Sequence, residues 1–131
     1  INGAIAGLVS ITADPLSPAG GTAVIVGAIG GAIVYFSIVF LEKAGVDDPV
    51  GAISAHGTVG IYGVLVVALT GGASFIGQLT GVVMIAAFTY LASLGTIYVI
   101  NTVMPIRASD AEQEAGLDIS EVGIEAYPEF K

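Results

Sequence analysis

The sequence has no cysteine, a single histidine, and only three Lys and Arg against eleven Asp and Glu among 131 residues. Without cysteine there is no disulfide framework and no thiolate metal site, and one histidine alone does not make a zinc set. Three basic residues do not line a nucleic-acid backbone, so a nucleic-acid partner is excluded. No Gly-x-Ser-x-Gly turn and no phosphate loop with a lysine is present, so enzymatic chemistry, a cofactor and a metal are not expected. Charge is scarce overall, at 11% of residues, where a soluble domain carries about 25%. Mean hydropathy is +0.94. From Pro49 to Ile106 there is no Asp, Glu, Lys or Arg, a run far longer than the roughly 20 residues that cross a bilayer. The fold class expected is all-α, a polytopic bundle of transmembrane helices.

Punctuation along the chain divides it into spans. Residues 1–13 are apolar but would cover only about 20 Å as a helix, and they lack the basic start and small-residue cleavage site of a signal peptide. They read as the end of a span, and the chain as the C-terminal portion of a larger protein. The first complete span is expected at about 18–41, opened by Ser17 as a cap and Pro18 at the first helical position, and closed by Glu42, Lys43 and Gly45. A second is expected at about 49–70, announced by Asp47, Asp48 and Pro49. Carboxylates at that position favour the helix dipole, so capping is the expected role of Asp47 and Asp48. Gly71, Gly72 and Ser74 make a turn, and a third span covers 75–106. Wholly helical, it would be about 48 Å long against a hydrocarbon layer of about 30 Å. It must tilt, bend or project, with Gly95 and Pro105 as the points of adjustment.

In this layout Lys43 and Arg107 share one side of the membrane, and the loops at Asp14 and Gly71 on the other side carry no basic residue. The positive-inside rule then places the C-terminus in the cytoplasm. Residues 107–131 form an acidic aqueous tail. Within it, Ser109 and Glu112 fit a reciprocal cap and Gly116 a stop, so a short helix is expected from Asp110 to Ala115. Leu117, Ile119, Val122, Ile124 and Tyr127 are apolar contacts that a purely solvated tail lacks, and they predict docking of the tail.

Glycine is plentiful, at nineteen residues, roughly twice ordinary usage. Gly3 and Gly7, Gly27 and Gly31, and Gly77 and Gly81 repeat at a spacing that puts bare backbone on one helix face, and Gly57, Gly60 and Gly63 form another small stripe. Close helix packing is their expected role. His56 stands alone in the uncharged block, eight residues past Asp48, or about 12 Å along a helix. That depth is near the middle of the bilayer, where an ionisable group faces a partner or a pathway. A neutral imidazole there can exchange donor and acceptor roles between its two nitrogens, relay a proton or bind a small polar solute.

The stretch Val46-Asp47-Asp48-Pro49-Val50-Gly51-Ala52-Ile53-Ser54-Ala55-His56-Gly57 resembles the signature of the ammonium transporter family (Amt/Mep/Rh), in the span that carries the second histidine of its twin-histidine pore. Asn2 to Thr12 resembles the family's eighth span. Arg107 with Glu112-Gln113-Glu114-Ala115-Gly116-Leu117-Asp118 and Glu125-Ala126-Tyr127 resembles its cytoplasmic tail. Three matches in order cover essentially the whole chain. Gly51 and Ile53 stand where many members have an acidic and an aromatic residue, and Val122 replaces a histidine common in the tail.

The resemblance implies the C-terminal portion of an eleven-helix fold, from the end of span eight through span eleven, in a homotrimer with a pore through each subunit. It implies that His56 pairs with a histidine of the missing N-terminal spans to part ammonium into ammonia and a relayed proton, and that Ile5 and Ala52 line the inner half of the pore. It implies ammonium or ammonia as substrate, a multi-pass location in the lipid bilayer of the cytoplasmic (inner) membrane, and contact of the tail with a neighbouring subunit or a PII-type regulatory protein. The rival expectations are an ammonium sensor of the same fold, signalling through its cytoplasmic surface, and an accessory fragment of a larger membrane complex.

Overall fold

The structure is a computed structural model that describes residues 1–125 and 127–129. Ala126, Phe130 and Lys131, which belong to the expected tail, lie outside the described residues. All regular structure among the described residues is helical. In order come α1 (Asn2–Val9), α2 (Gly20–Lys43), a π-helical segment (Ile53–Thr58) running directly into α3 (Val59–Thr70), α4 (Phe75–Val103), α5 (Asp110–Ala115) and a π-helical turn (Asp118–Val122). Three of these stretches, Gly20–Lys43, Ile53–Thr70 and Phe75–Val103, are long and apolar enough to cross a membrane. The chain divides into two units, Ile1–Ala87 and Phe88–Lys131.

In the first unit, α1 closes on hydroxyl groups. Ser10 Oγ donates to the Ala6 carbonyl at 2.7 Å and Thr12 Oγ1 to the Val9 carbonyl at 2.8 Å, so two helix-end carbonyls that already accept the N–H groups of Ser10 and Thr12 gain a second donor each. Helix α2 begins at Gly20, with extended Ala19 before it, rather than at Pro18. The expected cap, Ser17, instead donates its own N–H to Asp14 Oδ1 at 3.3 Å, which draws the residue into the preceding turn. At the other end Gly45 adopts φ +72°, a conformation open to glycine at little cost. That bend lets Gly45 N–H reach the Glu42 carbonyl and Val46 N–H the Leu41 carbonyl, the paired bonds of a glycine-terminated helix.

Helices α1 and α2 cross on their glycine faces. A Cβ placed on Gly27 would lie 3.5 Å from the Gly7 carbonyl oxygen, and one on Gly31 would lie 3.7 Å from that of Gly3. Two of the glycine pairs read from the sequence therefore face each other. Two further close approaches fall on Ser10. A Cβ on Gly30 would overlap Ser10 Oγ, and one on Gly63 of α3 would stand 2.9 Å from the Ser10 carbonyl oxygen and 3.0 Å from that of Val9. Around this junction Ala6, Val34, Ala55 and Val59 form the buried core, with Ile5, Val9, Ile33 and Tyr62 packed on it. Gly81 has no neighbouring atom within 4 Å of its missing Cβ, and Gly77 meets only the Ser74 side chain, so the third glycine pair does not join helices within the described structure.

No residue of α4 is buried. The helix runs unbroken through Gly95 and ends at Val103, short of the expected Ile106. The residue before a proline avoids the helical region, and Met104 precedes Pro105. Asn101 Oδ1 then accepts the Ile106 N–H at 3.2 Å.

In the second unit the predicted reciprocal cap is formed in full. Ser109 Oγ accepts from Glu112 N–H, and Glu112 Oε2 accepts from Ser109 N–H at 2.8 Å and from its hydroxyl at 2.6 Å. These bonds from Ser109 hold the Glu112 carboxyl below its ordinary value of 4.5. Leu117, Ile119, Val122, Ile124 and Tyr127 are exposed.

Candidate functional site

The candidate site is the segment that carries His56, and its geometry starts at Asp48. Gly51 turns the chain with φ +73°, which brings the Asp48 carboxylate under the first turn of the following helix. Asp48 Oδ1 accepts the N–H of Ile53 at 3.0 Å and Oδ2 that of Ser54 at 3.0 Å. Partial burial pushes the carboxyl up, yet these N–H bonds together outweigh it and hold the group below its ordinary value of 3.8. Of the acidic pair, the capping bonds fall to Asp48. Asp47 lines a cleft of about 220 Å³ with Glu42, Asp48, Ile38, Val46 and Pro49, smaller than the roughly 300–1,000 Å³ of an organic-ligand pocket. Among the described residues no group of three or more His, Cys, Asp or Glu could hold a metal ion.

From Ile53 to Thr58 the chain is wound as a π-helix. Its wider ladder shows where it ends, because the N–H of Val59 reaches back five residues to the carbonyl of Ser54. Such segments are uncommon and concentrate at functional sites. Ser54 and Ala55 are buried against α1 and α2, whereas Ala52, His56 and Gly57 are exposed. The Ser54 hydroxyl, wholly buried, lies near the Asp48 carboxylate without a bond of full geometry. At the far end Thr58 Oγ1 lies 2.9 Å from Ser37 Oγ of α2. The imidazole is thus mounted on a turn fastened at its start by Asp48 and at its end by the Ser37–Thr58 pair.

The sequence-predicted residues are only partly gathered. Ala52 and His56 are both exposed on the same segment. Ile5 is half-buried and packs on the cluster containing Ala55, the residue before His56. Two participants were not legible. Asn2 donates from Nδ2 to the Val50 carbonyl at 3.3 Å, and its amide occupies the place where a Gly51 side chain would begin. A side chain at Gly51 would displace this amide and would sit at a φ of +73° that favours glycine. Ser37 carries no signal in the sequence, since an isolated serine within an apolar helix is common.

Three helices long and apolar enough to cross a membrane, two of the bundle's helices crossing on glycine and an imidazole carried on one of the apolar stretches define a polytopic membrane protein. Comparison with known proteins makes the class specific. The profile of the Ammonium Transporter Family matches residues 1–127. The ammonium transporter Amt2 of Methanocaldococcus jannaschii is 36% identical over 98% of this chain and 33% of its own length. Amt2 of Archaeoglobus fulgidus is 33% identical over 98% of the chain and 32% of its own length. The ammonium transporter of Bacillus subtilis is 31% identical over 97% of the chain and 36% of its own length. The chain belongs to the ammonium transporter family, and is an integral membrane protein. It spans about a third of the length of the curated relatives it matches.

Proposed function

We propose that the protein carrying this chain conducts ammonium-derived nitrogen through a hydrophobic pore to which His56 contributes. The observation that carries this reading is the exposed imidazole on a π-helical turn within an apolar span. A cation entering such a path loses its hydration at a cost of several kcal/mol or more, while neutral ammonia does not carry that penalty. A histidine that accepts a proton on one nitrogen and donates from the other lets ammonia and proton part and travel separately. The polar partner of His56 is a second histidine elsewhere in the protein, and Ala52 and Ile5 line the inner half of the pore. The catalysis of a covalent reaction forms no part of this function.

In this reading the assembly is a homotrimer in the cytoplasmic membrane, and the basic side shared by Lys43 and Arg107 supports a C-terminus inside. The exposed apolar side chains of the tail support docking on a neighbouring subunit or on a PII-type regulator at the inner pore mouth. The test is the transient current after an ammonium jump on membranes reconstituted with the native complex, with a sodium jump as control. A current specific to ammonium that His56→Ala abolishes or uncouples from protons is expected. Unchanged current and selectivity in His56→Ala would remove this residue from the mechanism. Absence of current in intact complexes, with the tail still responding to ammonium, would turn the reading to a sensor.

A further inference from the structure

The turn that launches the His56 segment is held from two directions, and only one of them belongs to its own helix. Asp48 secures it from within, through the N–H groups of Ile53 and Ser54 at 3.0 Å each. Asn2, on the first turn of α1, secures it from outside, through the Val50 carbonyl at 3.3 Å. The fit is steric as well as polar, because the Asn2 amide fills the volume that a Cβ on Gly51 would need and Gly51 sits at φ +73°. Gly51 is buried under that amide. The Gly51 carbonyl then accepts the Ala55 N–H at 2.8 Å, and Ala55 adjoins His56. A continuous chain of contacts runs from Asn2 through Val50 and Gly51 to the residue beside the imidazole.

We infer that Asn2 is a positioning residue for His56: its amide clamps the Val50–Gly51 turn and so sets the depth and direction of the imidazole. The inference rests on the transport reading only for its functional consequence. A π-helical segment makes the clamp matter, because its ladder can shift toward α-helical register by releasing one residue, and that shift would rotate His56 about the helix axis. The clamp and the Ser37–Thr58 bond at the other end oppose such a shift.

The experiment compares Asn2→Asp and Asn2→Leu with the wild type in the intact reconstituted protein. Both variants keep the branched shape of the side chain and remove its N–H donor. Gly51→Ala attacks the same clamp from the other side, by filling the space the amide occupies. Amide hydrogen exchange across residues 52–58 is expected to quicken about fivefold, and the pH profile of the ammonium-evoked current to move away from that of the wild type. Unchanged exchange in 52–58 overturns the clamp. Faster exchange with an unmoved pH profile overturns the positioning role, since a bond that merely stabilises the turn would loosen it without redirecting the imidazole. Where Asn2→Leu does not fold, Asn2→Asp decides. A wild-type protein without ammonium-evoked current removes the transport reading itself, and the exchange measurement alone then supports or overturns the clamp.

Discussion

The side chain that Gly63 lacks would stand 2.9 Å from the main-chain oxygen of Ser10, so α3 and the end of α1 meet at backbone distance. Backbone cannot swing aside as a flexible side chain can. Gly63→Ala is therefore expected to destabilise the protein by about 1–3 kcal/mol. Gly60→Ala, where no atom lies within 4 Å, is expected to leave thermal stability in detergent unchanged or slightly raised. Equal effects of the two changes would refute the close approach.

Acid should weaken the His56 segment through Asp48. Its folded carboxyl titrates below 3.8, whereas the unfolded chain takes up the proton near its ordinary value. The stabilisation is thus fully present above about pH 4 and is lost as pH falls through the lower folded value. Wild type should exceed Asp48→Asn in stability above about pH 4, and the two should converge in stronger acid. Parallel pH curves would show that the carboxylate bonds do not stabilise the fold.

The hydroxyl pair closing the π-helical segment can be isolated by a double-mutant cycle. Ser37→Ala and Thr58→Val should each destabilise, and together by less than their sum, with a coupling of about 0.5–1.5 kcal/mol. Additive losses would mean that the 2.9 Å contact contributes nothing specific.

Ala52 separates packing from pore lining. Its side chain is exposed, so Ala52→Phe is expected to fold with wild-type stability while reducing ammonium-evoked current about tenfold, a loss of the size expected when a barrier rises by roughly 1.4 kcal/mol. Full current in a stably folded Ala52→Phe protein would take this residue out of the pore lining.

In the tail, Ser109→Ala removes one half of a reciprocal cap whose bonds are as short as 2.6 Å. Exchange of the Glu112 amide should quicken about fivefold while the membrane helices are unaffected. No change there would mean that the six-residue helix persists without its cap.

Much of this was legible because helix ends carry local signals. Ser109 and Glu112 announced α5 to the residue, Gly45 marked the close of α2, and the absence of charge after Pro49 marked the region that holds the two later apolar helices. The π-helical winding was not legible, since Ile53-Ser54-Ala55-His56-Gly57-Thr58 has no periodicity that separates a wider turn from an α-helical one. Ser10 packing on Gly30 was also hidden. A spacing of four selects Gly27 and Gly31, while the contact that matters falls on their neighbour, chosen by where α1 ends. Asn2 was missed for a similar reason: its partner Val50 lies 48 residues away, and nothing local in either stretch points to the other.

Helix α4, uncharged and long and apolar enough to cross a membrane by itself, has a consequence for biogenesis. A hydrophobic helix satisfies its backbone hydrogen bonds internally and can be stable in lipid before it meets any neighbour. This helix can therefore leave the insertion machinery as an autonomous segment and be placed afterwards. Exchange of one apolar residue for another along it should alter neither its insertion nor its helicity. The glycine-faced helices, by contrast, acquire their fit only on meeting one another, and errors in their order of assembly would be recorded there.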